Sequence, residues 1–311
     1  MKRGSVVFLY PGQGSQQVGM GLDLYQRYAE AREIFHQADR VLDFSLSGLC
    51  FEGPADELNQ DLNAQLAVYT LSCILTRVLK SQDVVPDMAT GYSSGFYAAA
   101  YAAGCFDFED GLFLVKQAGE ILLGRVPAID GSMAVIFGLS LQEVKDICFQ
   151  SGDVDVAITN TPRQIIISGL TPSVEKAMEM ALRQGALDAY PLHAATAYHS
   201  RFMSQCGARL LDEIGDTHLK DPGVPLISYA SLEPVSDREN LRDVIAAQLS
   251  RPVLWVDLIR TLWNSTALFV EVGHGEVITR TTRWIDRKIR VVNTATTDNF
   301  KKTTERCRNL Q

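Results

Sequence analysis

The segment Gly91-Tyr92-Ser93-Ser94-Gly95 constrains the fold more than any other part of this sequence. A strand-like stretch at 88–92 runs into it, and an alanine-rich, helix-like stretch at 96–103 follows it. A G-x-S-x-G segment in this setting is typical of a nucleophile elbow, a sharp strand-to-helix turn that exposes the serine Oγ at the end of a strand. Glycine on both sides avoids clashes at such a turn. The pattern therefore predicts an α/β fold with Ser93 as a nucleophile.

Two other interpretations of this segment stay open at this point. Small residues produce the same pattern by chance in a tight turn, in which case Ser93 faces solvent. Ser94 is the other serine, although its neighbours do not centre it in the pattern. If the elbow forms, the helix that follows supplies free N–H groups, and the N–H of Ser94 helps to bind a developing oxyanion.

The spacing of apolar residues divides the chain into two kinds of region. Short strand-like runs at 5–10 and 290–293 accompany longer helical patterns, among them single helices expected over 22–41 and 56–79. Between 132 and 192 the order is instead β-α-β-β-α-β, which is the ferredoxin-like pattern. We therefore predict an α/β domain over residues 1–129 and 197–311, with a small α+β subdomain over residues 130–196 inserted into it.

A serine nucleophile needs a general base, and the sequence offers five histidines. His36 and His218 lie in charged, amphipathic stretches that favour exposure to solvent, and His193 ends a predicted strand. His199 lies where the chain leaves the small subdomain, and loops at such boundaries often line clefts. We therefore expect His199 to be the base, although a structural or surface role stays open for all five, His274 included.

Composition and charge disfavour several classes of partner. The formal net charge is −8, so bulk attraction to nucleic acid or to an anionic membrane is not expected. No apolar run was found that reaches the roughly 18–20 residues of a membrane span. The apolar run at 6–10 is too short for the hydrophobic region of a secretory signal. We expect a cytoplasmic protein with neither a nucleic acid nor a membrane as partner.

The spacing of cysteine, histidine and glycine gives no sign of a bound metal or nucleotide. The six cysteines form no C-x-x-C pair and the histidines are scattered, so zinc-ligand spacing does not occur. The stretch Gly12-Gln13-Gly14 lacks the third glycine and the lysine of phosphate-binding loops. We expect reduced, mostly structural cysteines, no metal site and no permanently bound cofactor.

Three segments taken together are more specific than the pentapeptide alone. They are FLYPGQGSQQVGM at 8–20, GYSSGFYAAAYAAG at 91–104 and YHSRFM at 198–203. The set resembles the malonyl-CoA:acyl-carrier-protein transacylase family, which includes the acyltransferase domains of fatty-acid and polyketide synthases. Shorter stretches such as FVEVGHG at 269–275 extend the resemblance over nearly the whole chain. The resemblance implies a hydrolase-like parallel-sheet core with an inserted ferredoxin-like α+β subdomain, in agreement with the fold class expected above.

The resemblance also implies roles for individual residues. Ser93 corresponds to the serine that becomes acylated, and His199 to the base that activates it. The implied substrates are acyl-CoA and phosphopantetheine thioesters, with malonyl as the acyl group usual in the family. The further implied roles are an oxyanion hole formed by the N–H groups of Gln13 and Ser94, a substrate cleft lined by Gln65, Asn160 and Tyr198, and a backbone carbonyl of Arg251 that orients His199.

One departure from the family pattern concerns the acyl group. Malonyl-specific members carry an arginine about 25 residues after the nucleophile, where it pairs with the malonyl carboxylate, and this chain has Ala118 there. A carboxylate buried opposite alanine would be unpaired, so a neutral acyl group is expected instead. The alternative is a malonyl enzyme that uses a cation from elsewhere, such as Lys116 or Arg163.

The partner implied by the resemblance is an acidic acyl carrier protein, which an acidic enzyme would bind through a local basic patch. The candidates are Arg280, Arg283, Arg287 and Lys288, whose spacing allows a helical face, although a solvated surface explains them equally well.

The function expected is acyl transfer through an acyl-serine to the carrier's phosphopantetheine thiol. The alternatives are an acyl-thioester hydrolase that clears carrier proteins and a non-catalytic module that binds them.

Overall fold

The computed structural model describes residues 5–124, 129–215 and 217–310. These residues form two separate sheets of four strands each. Numbered along the chain, the strands are β1 (Val6–Tyr10), β2 (Met88–Gly91), β3 (Gly131–Phe137), β4 (Val154–Thr161), β5 (Gln164–Leu170), β6 (Asp188–Pro191), β7 (Leu268–Glu271) and β8 (Val291–Asn293).

The first sheet is entirely parallel and has the strand order β2-β1-β7-β8. Its central strands are buried along their whole length, as expected for parallel strands that are covered on both faces. Tyr10 of β1 lies opposite Gly91 of β2, and Leu9 lies opposite Glu271 of β7. The carboxyl ends of these three strands therefore meet at one edge of the sheet, and the loops that follow them start there.

Helices cover the sheets, and most of them contribute to one large apolar core. A short 3₁₀ helix at Arg201–Met203 also precedes one of them. The α-helices in the described ranges are α1 (Leu22–Arg27), α2 (Ala29–Leu42), α3 (Leu46–Glu52), α4 (Ala55–Leu58), α5 (Asp61–Ser81), α6 (Gly95–Ala102), α7 (Phe108–Leu123), α8 (Leu141–Ser151), α9 (Thr171–Arg183), α10 (Ser204–Ile214), α11 (Arg238–Ala247), α12 (Trp255–Trp263), α13 (Val277–Ile285) and α14 (Thr297–Arg308).

The helix α5 is long and apolar enough to cross a membrane by length and composition, and it is the only such helix among the described residues. Polar residues such as Asn63 and Gln65 interrupt its apolar run, so a span of this length was not expected from the sequence. Within the protein, 83% of its most apolar stretch is buried. A helix buried to this extent is a core helix of the large domain.

The second sheet has the order β4-β5-β3-β6, and all of its pairings are antiparallel. Helices α8 and α9 pack against it around a second apolar core that includes Ile136, Val144 and Ile167. The element order is the predicted β-α-β-β-α-β, so the predicted fold class, a parallel α/β core with a ferredoxin-like α+β subdomain, is confirmed. The domain limits 1–129, 130–196 and 197–311 stay a prediction, and residues 1–4, 125–128, 216 and 311 lie outside the described residues.

The edge strand β4 joins the small subdomain to the large domain. The Thr159 N–H donates to the Val253 carbonyl at 3.0 Å, and the Val253 N–H donates to the Ala157 carbonyl at 2.8 Å. Ile158 lies between these bonds and forms a parallel bridge with Val253. These main-chain contacts fix the position of the subdomain over the carboxyl edge of the parallel sheet.

Two long helices expected from the sequence are each divided in the structure. The helix expected over 22–41 is broken at Tyr28, whose backbone is extended with φ −115° and whose ring packs against Phe300. The helix expected over 56–79 is broken at Asn59 and Gln60, between α4 and α5. The break at Tyr28 coincides with a distant contact, which local spacing cannot register.

Candidate active site

Ser93 lies in a sharp turn between β2, which ends at Gly91, and α6, which begins at Gly95. Its φ is 54°, in the left-handed region where residues with a side chain are strained. Neither glycine has room for a side chain. A Cβ at Gly91 would lie 2.1 Å from the Gly95 carbonyl carbon, and a Cβ at Gly95 would lie 2.2 Å from the Tyr10 oxygen. The turn has the form of the predicted elbow, and Ser93 rather than Ser94 occupies the strained position.

The imidazole of His199 lies beside the Ser93 hydroxyl. Its Nε2 is 2.7 Å from Ser93 Oγ, and its Nδ1 is 3.0 Å from the carbonyl oxygen of Arg251. Because a carbonyl oxygen only accepts hydrogen bonds, Nδ1 carries the proton and Nε2 is left to accept the Ser93 hydroxyl. This is the tautomer that a general base requires.

The loop that carries the Arg251 carbonyl makes further contacts with His199 and its neighbours. The His199 N–H donates to the Leu249 carbonyl at 3.3 Å, and His199 itself has a φ of 58°. The ring of Tyr229 meets the imidazole edge to face at 6.1 Å between centroids, while its hydroxyl donates to the Gln248 carbonyl at 3.2 Å. Sequence reasoning missed Tyr229, since no local pattern marks it.

The other four histidines do not contact Ser93. His36 Nε2 lies 3.0 Å from the Tyr25 hydroxyl, and His274 Nε2 lies 3.4 Å from Gln17 Oε1. His193 lines the same cavity as His199, and His218 is exposed and does not line it. Among the five, only the position of His199 suits a base for Ser93.

Burial controls the charge of His199. It lowers the pKa of the imidazole from its ordinary 6.5 to about 4, and the hydrogen bonds with the Arg251 and Gln248 backbone oppose this only in part. A buried imidazole loses the hydration that stabilises its cationic form. His199 is therefore neutral at pH 7, with Nε2 free to take a proton.

The rate of acylation is expected to stay flat from pH 8 down to about 5, and to be half lost near pH 4 rather than near 6.5. The reason is that the base works only when it is neutral, which it is above its own pKa.

The pKa of His199 is lower in the folded protein than in the unfolded chain, so the unfolded chain binds more protons between pH 6.5 and 4. The stability of the fold therefore falls as the pH falls through this window.

This pH profile is measured as single-turnover acylation by intact-protein mass spectrometry at each pH, with circular dichroism as the control for folding. An apparent pKa close to 6.5 in the folded protein would contradict the burial argument.

The two backbone groups expected to form the oxyanion hole lie close together. Gln13 follows β1 and Ser94 follows the elbow, so both are at the carboxyl edge of the parallel sheet. The Gln13 N–H donates to Ser94 Oγ at 3.3 Å. The Gln13 side chain is held at both of its atoms, since its Oε1 accepts from Gln65 Nε2 at 3.1 Å and its Nε2 donates to Asp61 Oδ1 at 2.6 Å.

A cavity of about 740 Å³ opens at Ser93 and His199, between the two domains. Gln65, Ala118 and Tyr198, three of the predicted substrate-binding residues, line it. Its wall is mainly apolar and includes no Lys, Arg, Asp or Glu from the described residues. The apolar part of the wall consists of Ala118, Leu122, Met133, Ile158, Ile166, Leu192 and Leu249, with the rings of Tyr92, Tyr97 and Tyr229.

Asn160, the fourth predicted substrate-binding residue, is not part of this wall. It lies behind Tyr92, whose hydroxyl donates to Asn160 Oδ1 at 2.5 Å. Its role in the substrate cleft stays a prediction. Asn160 holds the ring of Tyr92, which does line the cavity.

The two cations considered as substitutes for an arginine at position 118 point elsewhere. Lys116 is on α7 with Nζ 4.0 Å from Glu120, and 37% of its side chain is exposed. Arg163 donates to the Gly138 carbonyl at 3.1 Å in a turn of the small subdomain, and 62% of its side chain is exposed. Neither lines the cavity.

Asp61 is a site residue that sequence reasoning missed. It is the first residue of α5, and its carboxylate accepts from the Gln13 side chain, from the Tyr198 hydroxyl at 2.5 Å and from the Ala195 N–H at 3.0 Å. It therefore connects the loop after β1 to the segment that carries His199. Acidic residues are common at the first turn of a helix, so nothing in the local pattern distinguishes Asp61 from the others.

The predicted docking residues do not share one helical face. Arg280 and Arg283 are on α13, whereas Arg287 and Lys288 come after its last residue, Ile285. Trp284 lies between the pairs, and its residue surface is 70% exposed. The side chain of Arg280 is 3.5 Å from Glu276 and 76% exposed, so this weak surface pair leaves its charge accessible.

The described ranges contain no group of three or more His, Cys, Asp or Glu side chains placed to hold a metal ion. All six cysteines are buried as free thiols. The groups that contact one another at the cavity are the Ser93 hydroxyl and the neutral imidazole of His199.

A family model described as the acyl transferase domain matches residues 7–296 of the chain. The chain belongs to this family. One relative, the malonyl CoA-acyl carrier protein transacylase of Bacillus subtilis, is 35% identical over 292 residues, which cover 92% of each protein. The resemblance found in the sequence is thus confirmed.

Solved structures of acyl transferases have the same fold. The malonyl CoA-acyl carrier protein transacylase of Coxiella burnetii superposes with a TM-score of 0.93 at 29% identity, covering 98% of each chain. A malonyl-transacylase in complex with its type II PKS acyl-carrier protein gives a TM-score of 0.93 at 27% identity, covering 97% of this chain and 99% of that one. The predicted family and fold agree with these comparisons.

Proposed function

We propose that the protein transfers an acyl group from a CoA or carrier-protein thioester to the phosphopantetheine thiol of an acyl carrier protein. The observation that carries this proposal is the 2.7 Å contact between Ser93 Oγ and a neutral His199, made at the wall of a cavity of about 740 Å³. A cavity of that size is within the range of small-molecule sites, about 300–1,000 Å³.

The first step acylates Ser93. His199 Nε2 takes the hydroxyl proton while Ser93 Oγ attacks the thioester carbonyl carbon, and the resulting oxyanion accepts hydrogen bonds from the N–H groups of Gln13 and Ser94. The tetrahedral intermediate then collapses, the carbon–sulfur bond breaks, and the leaving thiolate takes the proton from His199. The Arg251 carbonyl keeps the imidazole in position, and also stabilises its cationic form between the two proton transfers.

The second step is the reverse of the first with another thiol. The phosphopantetheine thiol gives its proton to His199 and attacks the acyl carbon, which releases Ser93 and leaves the acyl group on the carrier. No permanently bound cofactor takes part, since both thioesters are substrates. The relatives described above are transacylases, which favours transfer over the hydrolase alternative.

The partner is an acyl carrier protein, as in the relative whose structure contains one. The docking surface proposed for it consists of Arg280, Arg283, Arg287 and Lys288. Arg280 is in the first half of α13, which follows the carboxyl end of β7 at the catalytic edge, whereas Arg287 and Lys288 precede β8 at the opposite edge of the parallel sheet. Positive charge along α13 would attract an acidic carrier and raise the rate of encounter. The cytoplasmic location expected from the sequence stays a prediction.

The acyl group that this cavity favours is neutral, although malonyl is the group named in the relatives. Ala118 is buried in the cavity wall, one helical turn from Leu122, and the described wall residues supply no cation for a carboxylate. An acetyl or longer neutral acyl group would bind there without an unpaired charge.

Replacing Ala118 with arginine is expected to shift the preference toward malonyl by about 1–3 kcal/mol, roughly tenfold to a hundredfold in relative kcat/KM. The new guanidinium would extend from α7 into the cavity and pair with the carboxylate. The measurement is a competition between acetyl-CoA and malonyl-CoA for Ser93, in wild type and variant. A strong preference of the wild type for malonyl would contradict the neutral-acyl proposal.

The function itself is tested by following one acyl group through both steps. The protein is incubated with a panel of acyl-CoAs, the adduct on Ser93 is identified by peptide mass spectrometry, and a holo acyl carrier protein is then added. Transfer predicts loss of the adduct matched by acyl carrier. Release of free acid instead would indicate the hydrolase, and carrier binding without any adduct would indicate a non-catalytic module.

A further inference from the structure

The carboxylate of Asp61 is held close behind two residues of the cavity wall. It accepts hydrogen bonds from the side chains of Gln13 and Tyr198, which both line the cavity, and from the Ala195 N–H. An ionised carboxylate can only accept hydrogen bonds, and all three of these contacts of Asp61 are with donors.

Within the described part of the chain, Asp61 has no cationic side chain as an ion-pair partner. The ion pairs between residues in the ranges 5–124, 129–215 and 217–310 do not include it. The cavity wall that these ranges supply has no Lys or Arg either. Burial raises the pKa of the Tyr198 hydroxyl well above its ordinary range, and the nearby charge of Asp61 raises it further. Asp61 therefore places a negative charge behind this wall that no ion pair among the described residues offsets.

The same charge lies near the end of the cavity where Ala118 is found. Leu62, the next residue after Asp61, packs so closely on α7 that a Cβ at Gly119 would lie 2.6 Å from Leu62 Cδ1. Gln65, one turn further along α5, lines the cavity and bonds to Gln13. The first turn of α5 and the middle of α7 thus enclose one region of the site.

We propose that Asp61 is a specificity-determining residue whose negative charge excludes acyl groups that carry a free carboxylate. The inference rests on the proposed transfer of acyl groups through Ser93, and it adds a repulsive element to the lack of a cation at Ala118. A substrate carboxylate in the cavity and the Asp61 carboxylate behind the wall would have protein between them, so they would repel more strongly than the same two charges in water. Discrimination by such a repulsive contact is a common way to reject a competing ligand.

Asp61 also positions Gln13 and Tyr198, so the test must separate charge from structure. Malonyl thioester and the thioester of its methyl half-ester have a similar shape but differ by one negative charge. We expect wild type to form the Ser93 adduct faster with the half-ester. In Asp61→Asn, malonyl should gain about tenfold relative to the half-ester, a gain that corresponds to removing one nearby like charge.

Three controls accompany this test: one neutral substrate and two variants. Acetyl thioester carries no charge, so its rate relative to the half-ester should be unchanged in Asp61→Asn even if all rates fall. Tyr198→Phe removes one hydrogen bond of Asp61 and keeps its charge, and should leave the malonyl to half-ester ratio low. Asp56→Asn removes an exposed charge on α4 and should leave the ratio as in wild type.

The outcomes are distinct. Equal rates for malonyl and the half-ester in wild type would overturn the inference alone, and that comparison needs no variant. An unchanged ratio in folded Asp61→Asn would also overturn it, since Asp61 would then act only by positioning its neighbours. Failure of every thioester to acylate Ser93 would overturn the proposed function, and this inference with it.

Discussion

Replacing Ser93 with alanine is expected to abolish the acyl-enzyme and to lower transfer by on the order of 10⁶-fold, the scale seen when a nucleophilic serine is removed. The loss follows because Oγ forms the covalent bond and because, among the hydrogen bonds of the described residues, no other hydroxyl contacts His199 Nε2. The fold should survive, since alanine keeps the Cβ and the backbone of the turn. The measurement is intact-protein mass spectrometry after incubation with acyl-CoA, beside a thermal melt.

Ser94→Ala is the matched control for this prediction. Only the backbone N–H of Ser94 is assigned to the oxyanion hole, so its variant should still become acylated and should lose far less activity. If Ser94→Ala were the variant without an adduct, the position of the nucleophile would be wrong by one residue.

Replacing His199 with alanine is expected to lower the rate of acylation by about 10⁴-fold or more, as in other serine–histidine pairs. Without the imidazole, the Ser93 hydroxyl has no neutral base within 2.7 Å to take its proton. The measurement is a single-turnover acylation time course. Some slow acylation should remain, because Gln13 and Ser94 would still stabilise the oxyanion.

His36→Ala serves as the control for His199. Its imidazole contacts only the Tyr25 hydroxyl among the hydrogen bonds of the described structure, and its loss should leave acylation unchanged. Near-normal acylation by a folded His199→Ala would remove His199 from the mechanism.

The sequence could predict features that local chemistry dictates. The elbow at Ser93 requires two glycines at fixed offsets between a strand and a helix, so a pentapeptide was enough to identify it. The small subdomain follows from alternating strand and helix periods between 132 and 192. His199 was favoured by its place where the chain leaves the small subdomain and then by the family resemblance. The role of the Arg251 carbonyl came from the resemblance alone, since its contact with His199 joins residues 52 positions apart.

What the sequence could not predict depends on partners far apart in the chain. Asp61 contacts Gln13, 48 residues away in the chain, and Tyr198, 137 residues away. No local sequence pattern indicates that these three side chains interact. Tyr229 is likewise placed by the loop at 248–251. The contact of Asn160 with the Tyr92 hydroxyl joins residues 68 positions apart, so no local pattern could predict it either.

The hydroxyl of Ser94 has a consequence for how a thioester enters the site. It accepts the Gln13 N–H at 3.3 Å, so an oxygen of the protein already interacts with a donor intended for the oxyanion. We therefore expect the incoming carbonyl oxygen to replace the Ser94 hydroxyl as the acceptor of the Gln13 N–H. A single side-chain rotation releases the N–H, and the loop after β1 is held in its reactive shape before any substrate arrives.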